Sequence, residues 1–378
     1  MASRLTARPH WTLRSIVDRL DDERRRLTEL RAGPLAVEAV FEVVHRQFVP
    51  PLAHDFVLLA SVAGTEFTLR EAAAVLGVDE DVAEARLDAL IDACLLEETF
   101  TRRFRIHELL VLFGRGLQRD QAEETAALDR LLSQLLATAR TAFACAASGD
   151  PAGDVLGWRR LPDPGPPITD LRSARDWVSR TGHTVLAACA RVAELGAAGL
   201  LGTAIDLLLA MGLFAAEPGM RRLDAITRTL AEAAADTRAP TGPISGRCRR
   251  ARFRTAGRAE FLHSTIALRT GTYADVEVHA QRAVTAATVS GDRVILQQAL
   301  SNRGLAAHQR HDYPFAIRCF DRSAELARRL GHHSGEATSR LNAAHARLRS
   351  GAELVLAACE PPLGDDCHLR FAERLPQR

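Results

Sequence analysis

A recurrence with a period of 40 residues is the feature that most constrains the fold of this chain. It involves three kinds of position: small residues, tyrosines and asparagines. The recurring residues are Ser264, Gly304 and Ala344, then Tyr273 and Tyr313, then Asn302 and Asn342. A segment that repeats in this way folds as a series of similar units, each burying its apolar face on the next.

The order of residue types within each repeat predicts a pair of helices. A small residue on the first helix lets the second helix approach closely, and an aromatic residue after the turn fills the gap between them. This combination is typical of tetratricopeptide repeats, whose usual period is about 34 residues. The longer period here predicts helices longer by more than one turn.

The predicted repeat region extends over residues 169–350. Asp170 is expected to cap its first helix. Residues 185–195 and 200–214 are expected to form one hairpin of helices. The third copy is predicted to begin its second helix beyond Ser350, and residues 351–378 are predicted to form an irregular tail.

Composition supports a helical protein without a highly charged ligand. The chain has 378 residues, of which 47% are hydrophobic and only 5% aromatic, a balance that favours helices over β-sandwiches. The net charge of +2 gives no electrostatic reason to expect nucleic-acid binding. Every basic side chain is arginine or histidine, because the sequence contains no lysine. Lysine Schiff bases and a phosphate-loop lysine are therefore excluded.

The cysteines and the apolar runs indicate a cytoplasmic protein. Seven cysteines form no CxxC pair and are odd in number, as in a reducing compartment. No apolar run reaches the roughly 18 residues of a membrane span, and the N-terminus lacks the apolar core of a signal peptide. We therefore expect no contact with a membrane.

Residues 35–118 predict a winged-helix domain. Helices are expected over residues 35–48, 53–62, 69–76 and 81–93, followed by two short extended runs at 95–100 and 104–107. Thr68 and Glu71 have the spacing of a capping box, and Gly77 is expected to end that helix. In the 81–93 helix the residues expected to point inward are Val82, Ala85, Leu87, Leu90 and Ile91. The whole chain is thus predicted to be mostly α, a winged helix with a small hairpin followed by an α-α superhelix.

The charge of the 81–93 helix argues against direct DNA binding. In a DNA-binding winged helix this element enters the groove, where phosphates repel carboxylates. Here the helix and the residues just before it carry a single arginine, Arg86, against six acidic residues: Asp79, Glu80, Asp81, Glu84, Asp88 and Asp92.

Two further segments complete the predicted domain organisation. Residues 12–30 read as one amphipathic helix within a segment of residues 1–34. Residues 119–168 read as a helix followed by a stiff proline-rich linker at 161–167, the clearest predicted domain boundary. A loop is expected at 236–246, where glycine and proline interrupt the helices.

The chain resembles the back half of the SARP/AfsR-type regulators of actinobacteria, members of the signal-transduction NTPases with an NB-ARC module. The resemblance rests on residues 8–13, 20–30, 67–78 and the run Arg-Ile-His-Glu-Leu-Leu at 105–110. It also rests on the order winged helix, helical hairpins, tetratricopeptide repeats. Residues 1–34 would then be a remnant of the NB-ARC helical region.

The resemblance implies a regulatory role. Full-length members are transcriptional activators of secondary-metabolite genes, in which a DNA-binding module and a nucleotide-binding domain precede the segment seen here. This sequence has no GxxxxGK[ST] phosphate loop. We therefore expect neither enzymatic activity nor a cofactor held by this chain alone, although ADP or ATP is implied for the full-length family. A nucleotide-binding domain on another chain is one expected partner. The alternative function is a stand-alone repeat scaffold for protein-protein interaction.

His107 is the one residue that the resemblance connects with nucleotide. It matches the histidine of the family's Met-His-Asp motif, which contacts the ADP phosphate, with Ile106 in place of Met and Glu108 in place of Asp. The alternative is a histidine that only closes the wing onto the next helix.

The repeats predict a concave groove that binds a protein or peptide. Positions spaced i, i+3, i+4, i+7 share one helix face, and an asparagine amide there can both donate to and accept from a peptide backbone. An equally weighted alternative is that the groove packs on the chain's own N-terminal half as an autoinhibitory contact. The predicted groove residues are Gln298, Ser301, Asn302, Leu305 and His308, with Thr338, Leu341, Asn342, His345 and Leu348 from the next repeat.

No catalytic or metal site is predicted. His308, His311 and Asp312 are close in sequence, but the sequence places no third protein ligand beside the two histidines.

Overall fold

The structure is a computed structural model that describes residues 48–99, 103–118, 120–157, 161–163, 165, 168–214, 217–236 and 246–358. The predicted helices 12–30 and 35–48, most of the predicted loop 236–246 and the residues after 358 lie outside the described residues. Within the described part the chain is mostly helical with one small antiparallel sheet. The predicted fold class is confirmed.

The chain forms two compact units whose sequence ranges interleave. Of the described residues, 48–138, 161–165 and 176–204 belong to the first unit, and 139–157, 168–175 and 205–358 to the second. These units do not correspond one to one to the predicted domains. The domain ranges predicted from the sequence therefore stay a prediction.

A winged-helix domain occupies the first part of the first unit. The first helix packs on each of the other three, and the strands pair antiparallel in the order β1-β3-β2. Its elements are α1 (Pro50–Val62), β1 (Glu66–Thr68), α2 (Leu69–Leu76), α3 (Glu80–Asp92), β2 (Glu97–Glu98), β3 (Arg103–Arg105) and α4 (Glu108–Leu117). Strand β1 was not predicted, because three residues are too few to show an alternating pattern.

Local capping fixes the start and the end of α2 as predicted. The Thr68 hydroxyl accepts a hydrogen bond from the backbone N–H of Glu71 at 3.3 Å, and the Glu71 carboxylate accepts one from the N–H of Thr68 at 2.8 Å. Gly77 ends the helix with φ of 69°, a left-handed conformation that glycine adopts without strain.

The buried face of α3 differs in part from the prediction. Ala83, Leu87 and Leu90 are its buried residues, and their i, i+4, i+7 spacing defines a single apolar stripe. Val82 is 44% exposed and Ala85 is also exposed. The prediction that these two point inward was wrong, because each lies beside the stripe.

Several of the remaining helices have bounds that differ from the prediction. Helix α7 (Leu171–Glu194) is continuous, so the predicted separate helix at 185–195 was wrong; the Asp170 carboxylate precedes it and accepts the N–H of Ser173 at 2.7 Å. Helix α14 (His333–Ala358) continues through Ser350, so the prediction that a new helix begins beyond Ser350 was wrong, since a single glycine at Gly351 does not end a helix. The elements are α5 (Gln121–Ala146), α6 (Ala152–Val155), α7 (Leu171–Glu194), a 3₁₀ turn (Ala198–Leu200), α8 (Leu201–Gly212), α9 (Glu217–Asp236), α10 (Gly246–Thr270), α11 (Tyr273–Ser290), α12 (Arg293–Gln309), α13 (Tyr313–Leu330) and α14 (His333–Ala358).

The period of 40 residues is present in the backbone of the repeats. Gly271 and His311 have φ of 77° and 62°, and Gly291 and Gly331 have φ of 75° and 70°. Each pair is 40 positions apart, so equivalent turns adopt the same left-handed conformation. Consecutive helices from α9 to α14 pack on each other, and α12 also contacts both α10 and α14.

Close approach at the small residues explains the packing inside each repeat. A Cβ on Gly304 would lie 2.6 Å from the ring of Phe320, so only glycine fits there. Tyr313 is buried beside this contact, as predicted for the aromatic after the turn. The equivalent Ala344 is exposed. It differs because α14 is the last described helix, and no later described element packs on it.

Candidate functional site

The second unit contains a cavity of about 540 Å³. One wall is residues 150–157, which we name the cavity segment, together with the end of α5. The other walls come from α8, α10, α12 and α14. The volume lies within the range of about 300–1,000 Å³ that is usual for small-molecule pockets.

Part of the cavity lining is apolar. It combines aromatic and branched aliphatic side chains from four helices and the cavity segment. The residues are Phe143, Leu156, Leu209, Phe261, Leu262 and Ile295. Such a surface favours contact with apolar parts of a ligand.

The lining also contains amides, hydroxyls and one histidine. Gln297, which is 2% exposed, donates from Nε2 to the Ser323 hydroxyl at 2.9 Å, and its Oε1 lies 3.2 Å from Nδ1 of His332. The Ser323 and Ser339 hydroxyls are 3.0 Å apart. Because these buried groups are hydrogen-bonded to one another, the polar wall is held in one arrangement.

A buried arginine cluster, formed by Arg258, Asp206 and Asp292, adjoins the cavity, and Arg258 is part of the lining. Arg258 is 3% exposed; it donates from Nε to Asp292 at 2.9 Å and from Nη1 to Asp206. Burial alone would lower the pKa of Arg258, but the two carboxylates raise it above its usual value. The side chain therefore stays a cation whose charge is balanced inside the protein.

The buried arginine cluster also holds the cavity segment. Arg258 Nη2 donates to the carbonyl of Val155 at 3.0 Å, and the N–H of Gly157 donates to Asp206 at 2.8 Å. At the other end of the segment, Gln298 donates to both oxygens of Asp150 at 3.1 and 3.0 Å. Three helices of the second unit thus fix a stretch that the sequence reads as an irregular end of α5.

The predicted groove divides into two parts. Gln298, Ser301, Asn302 and Thr338 line the cavity. The Asn302 amide donates from Nδ2 to the hydroxyls of Ser264 at 2.9 Å and Thr265 at 3.2 Å. Its N–H₂ group therefore joins α12 to α10, and a partner would have to compete with these bonds.

The other predicted groove residues lie outside the cavity lining. His308 Nε2 is 3.2 Å from His345 Nδ1, and the two rings are stacked with centroids 5.1 Å apart. Leu305 is partly buried against the core around Tyr313, and Asn342 is 9% exposed. Leu341 and Leu348, in contrast, are 63% and 72% exposed.

The alternative of a self-contact has a counterpart in the structure. The cavity segment belongs to the chain itself and contacts α12 through its short helix α6. This contact occupies one edge of the predicted groove and leaves the cavity beside it.

His107 caps the helix after the wing. Its Nδ1 accepts a hydrogen bond from the N–H of Leu109 at 3.2 Å, at the first turn of α4, and the residue is exposed. This contact agrees with the interpretation that the histidine closes the wing onto the next helix. A phosphate contact of His107 stays a prediction.

The described residues provide neither a metal-binding cluster nor a membrane-spanning helix. Across these residues no group of three or more histidine, cysteine, aspartate or glutamate side chains is arranged to hold a metal ion. The helices of the described ranges include none whose length and apolar character suffice to cross a membrane.

Arg258 and Asp206 were missed by the sequence reasoning, although Asp206 carried a signal. Asp206 interrupts an otherwise apolar run in α8, between Ile205 and Leu207. An acidic residue on such a helix requires a buried partner. The sequence did not indicate which of the many arginines that partner would be.

Comparison with known proteins gives two curated relatives. The chain is 34% identical over 363 residues, 93% of its length, to the regulatory protein AfsR of Streptomyces griseus, and 34% identical over 361 residues to AfsR of Streptomyces coelicolor. It spans about a third of these relatives, 35% and 34% of their lengths. The predicted resemblance to AfsR-type regulators is confirmed.

Neither a family model nor a solved structure adds support for the fold or the family. No protein-family model matches the chain. A STAND-type signal-transduction ATPase with a tetratricopeptide repeat sensor from Pyrococcus horikoshii is 12% identical, covering 90% of this chain and 61% of that one. Its TM-score of 0.24 is too low to indicate a shared fold.

Proposed function

We propose that this chain is the sensing and partner-binding part of an AfsR-like transcriptional regulator. The observation that carries the proposal is the 34% identity to AfsR proteins over 93% of the chain. The curated relatives are named as regulatory proteins, which suits a role without catalysis. The chain spans only about a third of these relatives. Regulation of secondary-metabolite genes, an activity of the whole protein, is therefore proposed for this chain and not inferred from the identity alone.

The surface proposed for the partner is the α14 face, formed by Leu341, His345 and Leu348. Its two leucines are 63% and 72% exposed, the largest exposures among the bulky apolar side chains that the structure describes, apart from Val49. Exposed apolar side chains that recur on one helix face are typical of protein-protein contacts. The proposed occupant is a nucleotide-binding domain on another chain.

Titration calorimetry tests this directly. The purified chain is titrated with the purified nucleotide-binding domain of an AfsR-type regulator, and a saturable one-to-one complex is expected. The double substitution Leu341→Asp with Leu348→Asp should weaken it by about tenfold or more, since two charges would enter an apolar contact. Val278→Asp is the matched control, because Val278 is an exposed residue of α11 away from this face. No complex, or equal weakening by both variants, would refute the proposal.

Direct DNA contact by the winged helix is not part of the proposed function. Helix α3 carries mostly carboxylates, and its single arginine, Arg86, donates to the buried Asp55 at 3.1 Å. The alternative role of a stand-alone scaffold differs in one outcome: the chain would then bind a partner without affecting transcription from AfsR-dependent promoters in a reporter strain.

A further inference from the structure

We propose that the cavity is the binding site of an uncharged, amphipathic small molecule. The inference deepens the proposed regulatory role, on which it rests, by naming the class of effector that the repeat unit would sense. It depends on the cavity and not on the α14 face.

The size of the cavity suits a small molecule. The cavity offers about 540 Å³, a volume typical of pockets for drug-sized ligands. The cavity segment also forms one wall, and hydrogen bonds hold it there at Asp150, Val155 and Gly157.

The lining favours a ligand that has both apolar and hydrogen-bonding groups. Phe143, Leu262 and Ile295 are among its buried apolar residues. Ser301 and Thr338, also in the lining, carry hydroxyls that can both donate and accept hydrogen bonds. A ligand that combines an apolar ring or chain with ester, amide or hydroxyl groups would match both kinds of side chain.

The charges around the cavity favour an uncharged ligand. Arg258 is already paired with Asp206 and Asp292, so its charge is satisfied within the protein. Asp150 adds a carboxylate to the lining, which would repel an anion, and a cation would have to displace the Gln298 amide from both oxygens of that carboxylate. Arg269 is exposed and donates to the carbonyl of Gly212 at 2.8 Å, so water and salt screen its charge.

Exposed side chains mark the opening of the cavity. Leu213 is 41% exposed, and Arg269, Ser334 and Thr338 are exposed as well. The deeper lining, including Gln297 and His332, is buried. A ligand can therefore enter from solvent beside α14 without unfolding the repeats.

Two dyes with the same ring system test the proposal. N-phenyl-1-naphthylamine is neutral, and 1-anilinonaphthalene-8-sulfonate adds one negative charge. Titrated into the full chain, the neutral dye should give a saturable fluorescence increase with one site per chain. It should bind at least tenfold more tightly than the sulfonate.

Filling the cavity should remove this binding. Ser301→Trp and, as a second choice if that variant does not fold, Thr338→Trp place an indole in the cavity and should weaken the neutral dye at least tenfold. Val278→Trp is the matched control on an exposed surface and should bind as the parent does. Circular dichroism at 222 nm checks that each variant is folded.

The outcomes separate this inference from the proposed function. No saturable binding, equal binding by the cavity and control variants, or tighter binding of the sulfonate would overturn the inference. Each of these results leaves the complex through the α14 face measurable by calorimetry. Loss of that complex, in turn, would not change dye binding.

Discussion

The helix caps of the winged-helix domain and the buried polar contacts of the repeat unit act over different distances along the chain. In the first, Thr68 bonds Glu71 and His107 bonds Leu109, two or three positions away, although Arg86 also reaches Asp55, 31 positions away. In the second, Arg258 reaches Asp206, 52 positions away, and the Asn302 amide reaches Ser264, 38 positions away. Local caps define single helices, whereas the distant contacts define how helices stack. This difference predicts which substitutions destabilise a single helix and which destabilise the whole repeat unit.

Removing the central cation of the repeat unit should have the largest effect. Arg258→Ala leaves Asp206 buried without its counter-charge and Asp292 with only the exposed Arg254 nearby, and should lower the free energy of unfolding by about 3–5 kcal/mol. Chemical denaturation followed by circular dichroism measures the change.

Arg254→Ala is the matched control for that prediction. Arg254 lies 3.6 Å from the same Asp292, but its side chain is 42% exposed. Its loss should cost less than about 1 kcal/mol. Equal effects of the two substitutions would show that the buried arginine cluster does not organise the repeat unit.

Gly304→Ala should have the next largest effect. The added Cβ would lie 2.6 Å from the Phe320 ring, so the free energy of unfolding should fall by about 1–3 kcal/mol through overpacking. The equivalent Ala344 is exposed, and Ala344→Val should change it by less than about 0.5 kcal/mol. Thermal denaturation of both variants checks whether the two repeat positions differ as the structure indicates.

Loss of a local cap should have a smaller and more confined effect. Thr68→Ala removes the capping box of α2 and should cost about 1 kcal/mol, while Thr68→Ser keeps the hydroxyl and should cost less. Hydrogen exchange read by mass spectrometry should show faster exchange in α2 and unchanged exchange in α12. Faster exchange in both helices would contradict the contrast between local and distant contacts.

Acidification should lower the stability of the repeat unit gradually, and this is the smallest effect that we predict. Burial lowers the pKa of His263, against the opposing effect of Asp224, and burial lowers the pKa of His308 and of His345. Below the unfolded value of about 6.5 the unfolded chain therefore binds more protons, and stability falls with falling pH. The Tm should decrease between pH 7 and pH 5.

The double variant His308→Gln with His345→Gln tests the origin of that decrease. Neither glutamine can be protonated, so the Tm should depend less on pH than in the parent chain. An unchanged or steeper pH dependence would assign the effect to other groups.

A fifth prediction concerns nucleotide binding by this chain. With no phosphate loop in the sequence, calorimetry of this chain alone with ADP should give no heat of binding. An affinity in the low micromolar range would contradict the expectation.

The helices of the winged-helix domain could be predicted because capping residues close in sequence mark where a helix begins and ends. Thr68, Glu71 and Gly77 gave the bounds of α2 as the structure has them. The repeats were predicted because small and aromatic residues recur at fixed positions. The cavity was not predicted, since it depends on Asp150 meeting Gln298 and on Arg258 meeting Asp206. No pattern within one helix indicates such pairs.

The long reach of the cavity segment has a consequence for the order of protein synthesis. Asp150 bonds Gln298, 148 positions later in the chain. At roughly 5–20 residues per second, a ribosome needs roughly 7 to 30 seconds to make the second residue after the first. For much of that time residues 150–157 have left the ribosome without the helix that later fixes them. This wall of the cavity therefore reaches its final arrangement only after α12 has been made.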